Sequence, residues 1–277
     1  LLSMIGCAFI MITYIKFDEL RTTGRKLLVF LSLADFLTAF GNFMGIIWFI
    51  RHDSMDAAVS NVLCEFHAAL TFFSSVSSFL WTVAMAIHLY VCIVRLDSIT
   101  ADRLLPYFHV ACWALPAVVG IVPWALGVIG HDGSLKVPSW CWINPGLQSA
   151  LFWQYFSGKA WEIASYITVV VLYARIKVAL CKQRAEAMVT AAHLSTNGGF
   201  RNAHVIAEAN RKLVFVPAVF IAMRIWGTVR FLVGAHLQHH VHAKAMAWVV
   251  PLQGIGDSAQ GFVNCILFCF FTEKVRS

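Results

Sequence analysis

Long apolar runs alternate with short polar connections along the whole chain. The runs lie near Leu1–Ile15, Leu27–Ile50, Val62–Val94, Leu105–Ile129, Leu151–Val178, Leu213–Val233 and Ala245–Phe271. A helix needs about 20 apolar residues to cross the hydrocarbon of a bilayer. The pattern therefore predicts seven spanning helices. The third run is long enough to extend past the membrane surface. The first is short at its outer end. The chain opens on Leu1, not Met, with no charged stretch ahead of it, so a trimmed front is expected. Pro116, Pro123, Pro217 and Pro251 fall inside runs, and membrane helices tolerate proline as a kink. No internal repeat of the transporter kind is found. The expected architecture is one all-α membrane domain over residues 1–277, a seven-transmembrane helix bundle.

Composition narrows the class. Of the 277 residues 60% are hydrophobic and 13% are charged, against roughly 45–50% and about 25% in soluble domains. So few charges cannot cover the surface of a soluble enzyme. A disordered tail is excluded on the same ground. Eight cysteines are too sparse for a disulfide scaffold. The net charge of +7 does not point to nucleic acid, because the basic residues are scattered between apolar runs.

The scatter itself carries orientation. Of the 21 Lys and Arg residues, fifteen fall in alternate connections: Lys16, Arg21, Arg25, Lys26; Arg95, Arg103; Arg175, Lys177, Lys182, Arg184, Arg201, Arg211, Lys212; Lys274, Arg276. The opposite connections hold Arg51, Lys136 and Lys244. By the positive-inside rule the N-terminus is expected outside and the C-terminus in the cytoplasm. The stretch from His193 to Gly199 in the fifth connection reads as a linker.

In that topology Cys64 and Cys141 both face an oxidising compartment. A Cys64–Cys141 disulfide is expected, pinning the loop that holds Trp140-Cys141-Trp142 over the mouth of the bundle. Two free thiols are the alternative. The other six cysteines are expected to pack in or beneath the membrane.

Six charged residues are expected to lie within the membrane: Asp35, Lys159, Glu162, Arg224, Arg230 and Asp257. Each costs roughly 2.5–3.5 kcal/mol at the membrane centre. Equal numbers of each sign suggest mutual pairing. Glu162 lies about 11 residues below the outer end of its run and Arg224 about nine below its own, at about 1.5 Å per residue. A Glu162–Arg224 contact is expected, with Lys159 and Arg230 higher and open to an anionic or polar ligand. Asp35 and Asp257 are expected as a polar core near mid-depth, where two carboxylates together would raise each other's pKa unless a cation or a basic side chain intervenes. These charges either hold the bundle together or serve a pocket or switch. The run from His236 to His242 holds four histidines. A solvated loop is the better reading of it than a zinc or pH site. His88 and His109 read as packing residues. No metal site and no cofactor is expected.

Seven spans, this polarity and the Cys64–Cys141 tether together resemble a G-protein-coupled receptor. Ser258-Ala259-Gln260-Gly261-Phe262-Val263, followed by Cys269-Phe270, resembles the last span of secretin- and adhesion-type receptors, which read Ser-Phe-Gln-Gly-Phe-Val and then Cys-Phe. Arg211-Lys212-Leu213 with Pro217 resembles their sixth-span base and kink. Trp81 and Leu89-Tyr90 stand where their third span carries Trp and Tyr-Leu-His. Met85 replaces the glutamate of that group, and Phe220 its glycine. Leu33-Ala34-Asp35 is similar to the second span of rhodopsin-type receptors. Asp-Arg-Tyr is replaced by Val94-Arg95-Leu96, however, and Asn-Pro-x-x-Tyr is missing from the last span. The mixture resembles the branch between secretin-type receptors and the slime-mould cyclic-AMP receptors. Val29 to Asp35, Gly158 to Glu162 and Arg224 to Phe231 are similar to segments of an orphan receptor of that branch.

The resemblance implies a bistable bundle that couples an extracellular ligand, or basal activity, to a heterotrimeric G protein. It implies an outer pocket lined by Lys159, Trp161, Glu162, Arg224, Trp226, Arg230 and Gln253. Pro217, Pro251 and Gly261 are the expected hinges. Arg25, Lys26, Tyr90, Arg95, Lys212 and Leu213 are expected in the cytoplasmic cleft, although positive-inside placement alone also accounts for the basic ones. Expected partners are membrane lipid, the G protein and an unknown small ligand, because no large folded ectodomain of the peptide-binding kind is present. A retinal protein needs a lysine in span seven, which has none. A zinc hydrolase needs converging His and Asp at one level. No enzyme activity is therefore expected, and a transporter without G-protein coupling is the alternative.

Overall fold

The computed structural model describes residues 1–51, 57–130, 141–193, 215–236 and 248–271. Its main helices are α1 (Leu2–Lys16), α2 (Thr23–Arg51), α3 (Ala57–Val94), α4 (Ser98–Arg103), α5 (Leu105–Ala125), α6 (Ala150–Gln154), α7 (Ala160–His193), α8 (Phe215–His236) and α9 (Val249–Phe271). A π-helical turn, Tyr155–Lys159, joins α6 to α7. Helix dominates because backbone groups in lipid must be satisfied within their own segment. Among the described residues, five helical stretches are long and apolar enough to cross a bilayer: Thr23–Arg51, Val59–Val94, Ser98–Ala125, Ala150–Gln183 and Val216–His236. Two more complete a seven-helix bundle. Helix α1 is apolar but has only 15 residues. Helix α9 has 23, and its apolar run is interrupted by Gln253, Asp257, Gln260 and Asn264.

Helix α3 is the pillar. It packs against α2, α5 and α7, while α1 closes the ring between α2 and α9. Small residues let neighbours come close. Ser74, Ser77 and Ser78 are fully buried on α3, and Ser77 Oγ donates to the Cys112 carbonyl of α5 at 2.8 Å. On α9, a β-carbon at Gly261 would overlap Cys7 Sγ, and one at Gly256 would overlap the Met223 carbonyl of α8.

Two apolar clusters mark the ends. One gathers Leu27, Leu31, Trp81, Leu89, Ile93, Ile176 and Phe268 around the start of α2 and the end of α3. The other gathers Trp48, Phe72, Val128, Ile129 and Ile143 around Cys64 and Cys141. These two cysteines form a disulfide with 5.4 Å between Cα atoms. It anchors an antiparallel pair, β1 (Ile129–Gly130) and β2 (Trp142–Ile143), with Ile129 opposite Ile143.

The boundaries depart from the sequence expectation where local chemistry intervenes. The fourth span stops at Ala125 and not near Ile129, because Gly127 takes the left-handed conformation at φ 63 and caps the helix. The fifth continues to His193, well past Val178.

Candidate functional site

A buried polar chain crosses four helices. Asp35 of α2 accepts from Ser78 Oγ of α3 at 2.7 Å and from Asn264 Nδ2 of α9 at 3.0 Å. Gln260 Nε2 donates to Ser78 Oγ at 3.2 Å, and its Oε1 accepts from Arg224 Nε of α8 at 2.9 Å. The guanidinium then reaches Asp257 Oδ1 at 3.9 Å and stacks 5.1 Å from the Phe79 ring centroid. Asp35, Ser78, Gln260, Asn264 and Arg224 are all buried. Each charge is thereby hydrogen-bonded or paired, as burial requires. The Arg224 cation and two neutral side chains, Ser78 and Gln260, stand between the Asp35 and Asp257 carboxylates.

A second group sits on α7. Lys159 Nζ donates to Glu162 Oε2 at 2.7 Å, and Tyr166 OH donates to Glu162 Oε1 at 2.7 Å. Thr228 of α8 lies 3.4 Å from the same tyrosine hydroxyl. The π turn ends on Lys159 and places it three residues from Glu162 on the same helix. Such turns often accompany functional sites. The expected direct Glu162–Arg224 contact gives way to this arrangement. Glu162 is satisfied on its own helix, and Arg224 turns to α9. Equal depth does not fix the direction in which a helix presents a side chain.

Phe231 gathers three residues at the disulfide end. Lys159 Nζ lies 5.9 Å from its ring centroid, Trp142 of β2 packs on it at 6.0 Å and Tyr155 at 5.2 Å. The disulfide thus brings Trp142 onto α8. Tyr155 OH also pairs with His236 Nε2 at 2.9 Å. Arg230 Nη1 donates to Gln253 Oε1 at 2.9 Å. Trp161 Nε1 donates to the Phe156 carbonyl at 2.9 Å, and Trp226 stacks edge-on with Trp248 at 5.9 Å. Of the seven expected pocket residues, Lys159 pairs with Glu162 and Arg230 with Gln253, whereas Trp161, Arg224 and Trp226 bond or pack against residues outside the set.

At the other end, Arg25 and Lys26 open α2, Tyr90 closes α3 beside the first cluster, and Arg95 is exposed just beyond it. Asp97 caps α4 by accepting from the Thr100 amide at 2.9 Å. Hydrogen bonds from Thr100 hold this carboxylate below its usual range. Helix α4 is also tied to α3 by His88 Nε2 and Asp102 Oδ1 at 3.6 Å, and α7 by Gln183 Nε2 donating to the Ile93 carbonyl at 3.0 Å. His109 packs edge-on against Phe30 and Trp81. Lys212, Leu213 and the histidines after His236 lie outside the described residues. Pro217 is the third described residue of α8. Pro251 is the third residue of α9, where a missing amide hydrogen costs no helical bond. Pro251 therefore starts a helix and does not bend one. Gly261 is a contact point between α9 and α1.

Sequence reading gave no site role to Ser78, Tyr166, Gln260 or Asn264, although Gln260 stood in the last-span motif. A signal was present. Gln253, Asp257, Gln260 and Asn264 are spaced four, three and four apart, which puts them on one helical face.

Residues 1–232 match the family described as the slime mold cyclic AMP receptor. Over all of its 277 residues the chain is similar to G-protein coupled receptor 157 of Homo sapiens, 35% identical and covering 79% of that protein. It is 28% identical, over 52% of its length and 34% of the relative's, to cyclic AMP receptor-like protein A of Dictyostelium discoideum. Its fold is similar to that of squid rhodopsin. The TM-score is 0.73 at 16% identity, covering 99% of this chain and 75% of the other.

Proposed function

The chain belongs to the slime mold cyclic AMP receptor family, and from that premise we propose that it binds a small polar or anionic extracellular ligand near Lys159 and Arg230 and passes the change to a heterotrimeric G protein at the Arg25–Arg95 end. It is a G-protein-coupled receptor embedded as a multi-pass protein in the plasma membrane. The observation that carries the ligand reading is the buried chain from Asp35 through Ser78, Gln260 and Arg224 to Asp257. A group that displaces Asp257 or Gln253 from its arginine unbalances bonds shared by α2, α3, α8 and α9. The relay is then a population shift between two hydrogen-bonding arrangements. The cyclic nucleotide named for the Dictyostelium relatives is one anion of suitable size and charge for Lys159 and Arg230.

The proposed orientation has the disulfide end outside. An oxidising compartment suits the Cys64–Cys141 bridge, and the cytoplasm suits Lys16, Arg25, Lys26 and Arg95. Tags at both ends of the chain in living cells should appear on opposite faces, and tags on one face would refute this orientation. Coupling is tested with a panel of G-protein activation sensors in cells expressing the full chain, first without added ligand. Neutralising Arg95 and Lys212 together should abolish sensor response at equal surface expression. An unchanged response removes these residues from the G-protein cleft.

A further inference from the structure

Between α3 and α4 the chain makes a short exposed turn, at the end that carries Arg25 and Arg95. Leu96 stands there in the left-handed conformation at φ 54, which strains any residue that has a side chain. Leu96 and Ile99 are 75% and 67% exposed, and Arg95, Ser98 and Thr100 are exposed beside them. The turn is lightly held. The Asp97 amide reaches the Val91 carbonyl only at 3.4 Å. Helix α4 has six residues, too few to be stable alone. It rests on the Asp97 cap, the buried Ala101 and the His88–Asp102 contact. Such a segment opens locally at little cost, and an extended backbone at Leu96 relieves the strain of its left-handed turn.

The sequence across this turn reads Arg95-Leu96-Asp97-Ser98-Ile99. Among the described residues, Ser98 alone of the serines and threonines has an arginine three positions before it. An arginine-directed protein kinase reads an extended substrate through that spacing. Carboxylates of the kinase take the guanidinium as a bidentate pair, and an apolar pocket takes the residue after the acceptor, here Ile99. We propose that Ser98 is a phosphorylation site for a kinase of this class, and that its phosphate lowers coupling to the G protein. In the transfer the Ser98 oxygen bonds to the γ-phosphorus of ATP. The bond from that phosphorus to the β–γ bridging oxygen breaks, ADP leaves, and the hydroxyl proton passes to the kinase's catalytic aspartate. Residues 95–103 carry two basic side chains, Arg95 and Arg103, and two acidic ones, Asp97 and Asp102, so a phosphate charge of about −1.5 to −2 turns a balanced segment acidic. Arg95 makes no ion pair among the described residues, and its guanidinium is available to close on the phosphate three residues away. The G-protein cleft then loses a cation and gains an anion. This effect on coupling rests on the cleft proposed above, whereas the phosphate transfer does not.

The test incubates the purified full chain in nanodiscs with an activated calmodulin-dependent protein kinase, which selects arginine at that spacing, and with ATP labelled at the γ-phosphorus. Mass spectrometry maps the phosphate. Ser98 should carry most of the label. Ser98→Ala should remove it, and Arg95→Lys should slow it at least tenfold, because an ammonium cannot make the bidentate pair. Label that avoids Ser98, or a rate unchanged by Arg95→Lys, would overturn the site. The effect on coupling is read with G-protein activation sensors at equal surface expression. Ser98→Glu should lower the response several-fold, while Ser98→Gln, of the same size without the charge, and Ser98→Ala should keep it. Equal responses from the Glu and Gln variants would overturn the effect on coupling. The label is scored without any G protein. A chain that fails to couple would therefore refute the cleft and the effect on it, and the label would still decide the site.

Discussion

Helix α8 packs differently against α9 and α7, two of its neighbours. Toward α9 the seam is tight. Gly256 admits the Met223 carbonyl against the α9 backbone, Gly227 faces Gln253 across the same seam, and two arginines bond across it, Arg224 to Gln260 and Arg230 to Gln253. Toward α7 the seam is loose. Tyr166 and Thr228 meet at 3.4 Å, the tilted rings of Tyr166 and Phe220 lie 5.5 Å apart, and a cavity occupies the space toward Tyr173. The contrast teaches which helices belong together. Helix α8 is coupled to α9 through backbone approach and charge-assisted hydrogen bonds, whereas it meets α7 through side-chain tips. A displacement of α8 therefore carries α9 with it and slides past α7.

The largest expected effect comes from breaking the tight seam at its charge. Arg224→Met leaves Asp257 without its cation and Gln260 without its donor, and loss of one partner of a buried ion pair costs about 3–5 kcal/mol. Thermal melting of the purified receptor in detergent should show this as the deepest loss of stability among single changes on α8. A melting temperature equal to wild type would mean that the polar chain holds nothing together. Next comes Gly256→Leu. The added side chain has no space against the Met223 carbonyl, so the helices must part, at a cost of about 3 kcal/mol. The matching change on the other seam, Ala222→Leu, faces a cavity and should cost far less. If the two glycine and alanine variants melt together, the seams are alike and the comparison fails.

Much of this was legible in the residues. Seven apolar runs match the seven helices of the bundle, because a bilayer leaves the chain few other ways to satisfy its backbone. The cysteine pair was legible because both residues fall at the same expected face. Asp35, Arg224 and Asp257 stood out as charges in apolar surroundings, and each takes part in the polar chain. What was not legible was rotation. Depth along a helix follows from counting residues, but the azimuth depends on packing by neighbours hundreds of residues away, such as Gly261 against Cys7. The expected Glu162–Arg224 pairing failed on that point. Local geometry intervened as well, since Lys159 and Tyr166 reach Glu162 from three and four residues along the same chain. The cleft at Tyr173 was invisible in sequence, because an empty space has no residue of its own.

Two smaller effects sharpen the comparison by setting one hydrogen bond on each seam against the other. Gln253→Leu removes the acceptor of Arg230 on the tight side. That bond is charge-assisted and short at 2.9 Å, and Arg230 is only partly buried, so the expected loss is about 1.5 kcal/mol. Thr228→Val removes the hydroxyl that meets Tyr166 on the loose side. Its 3.4 Å separation is long for an O–H···O bond, and Tyr166 keeps its bond to Glu162. The expected loss is therefore under about 0.6 kcal/mol, the average for hydrogen bonds between membrane helices. A double-mutant cycle of Thr228→Val with Tyr166→Phe should find almost no coupling energy, while Arg230→Met with Gln253→Leu should find most of the single-variant loss shared. Equal coupling on both sides would show that α8 is held by α7 as firmly as by α9, and that the cavity between them does not loosen the seam.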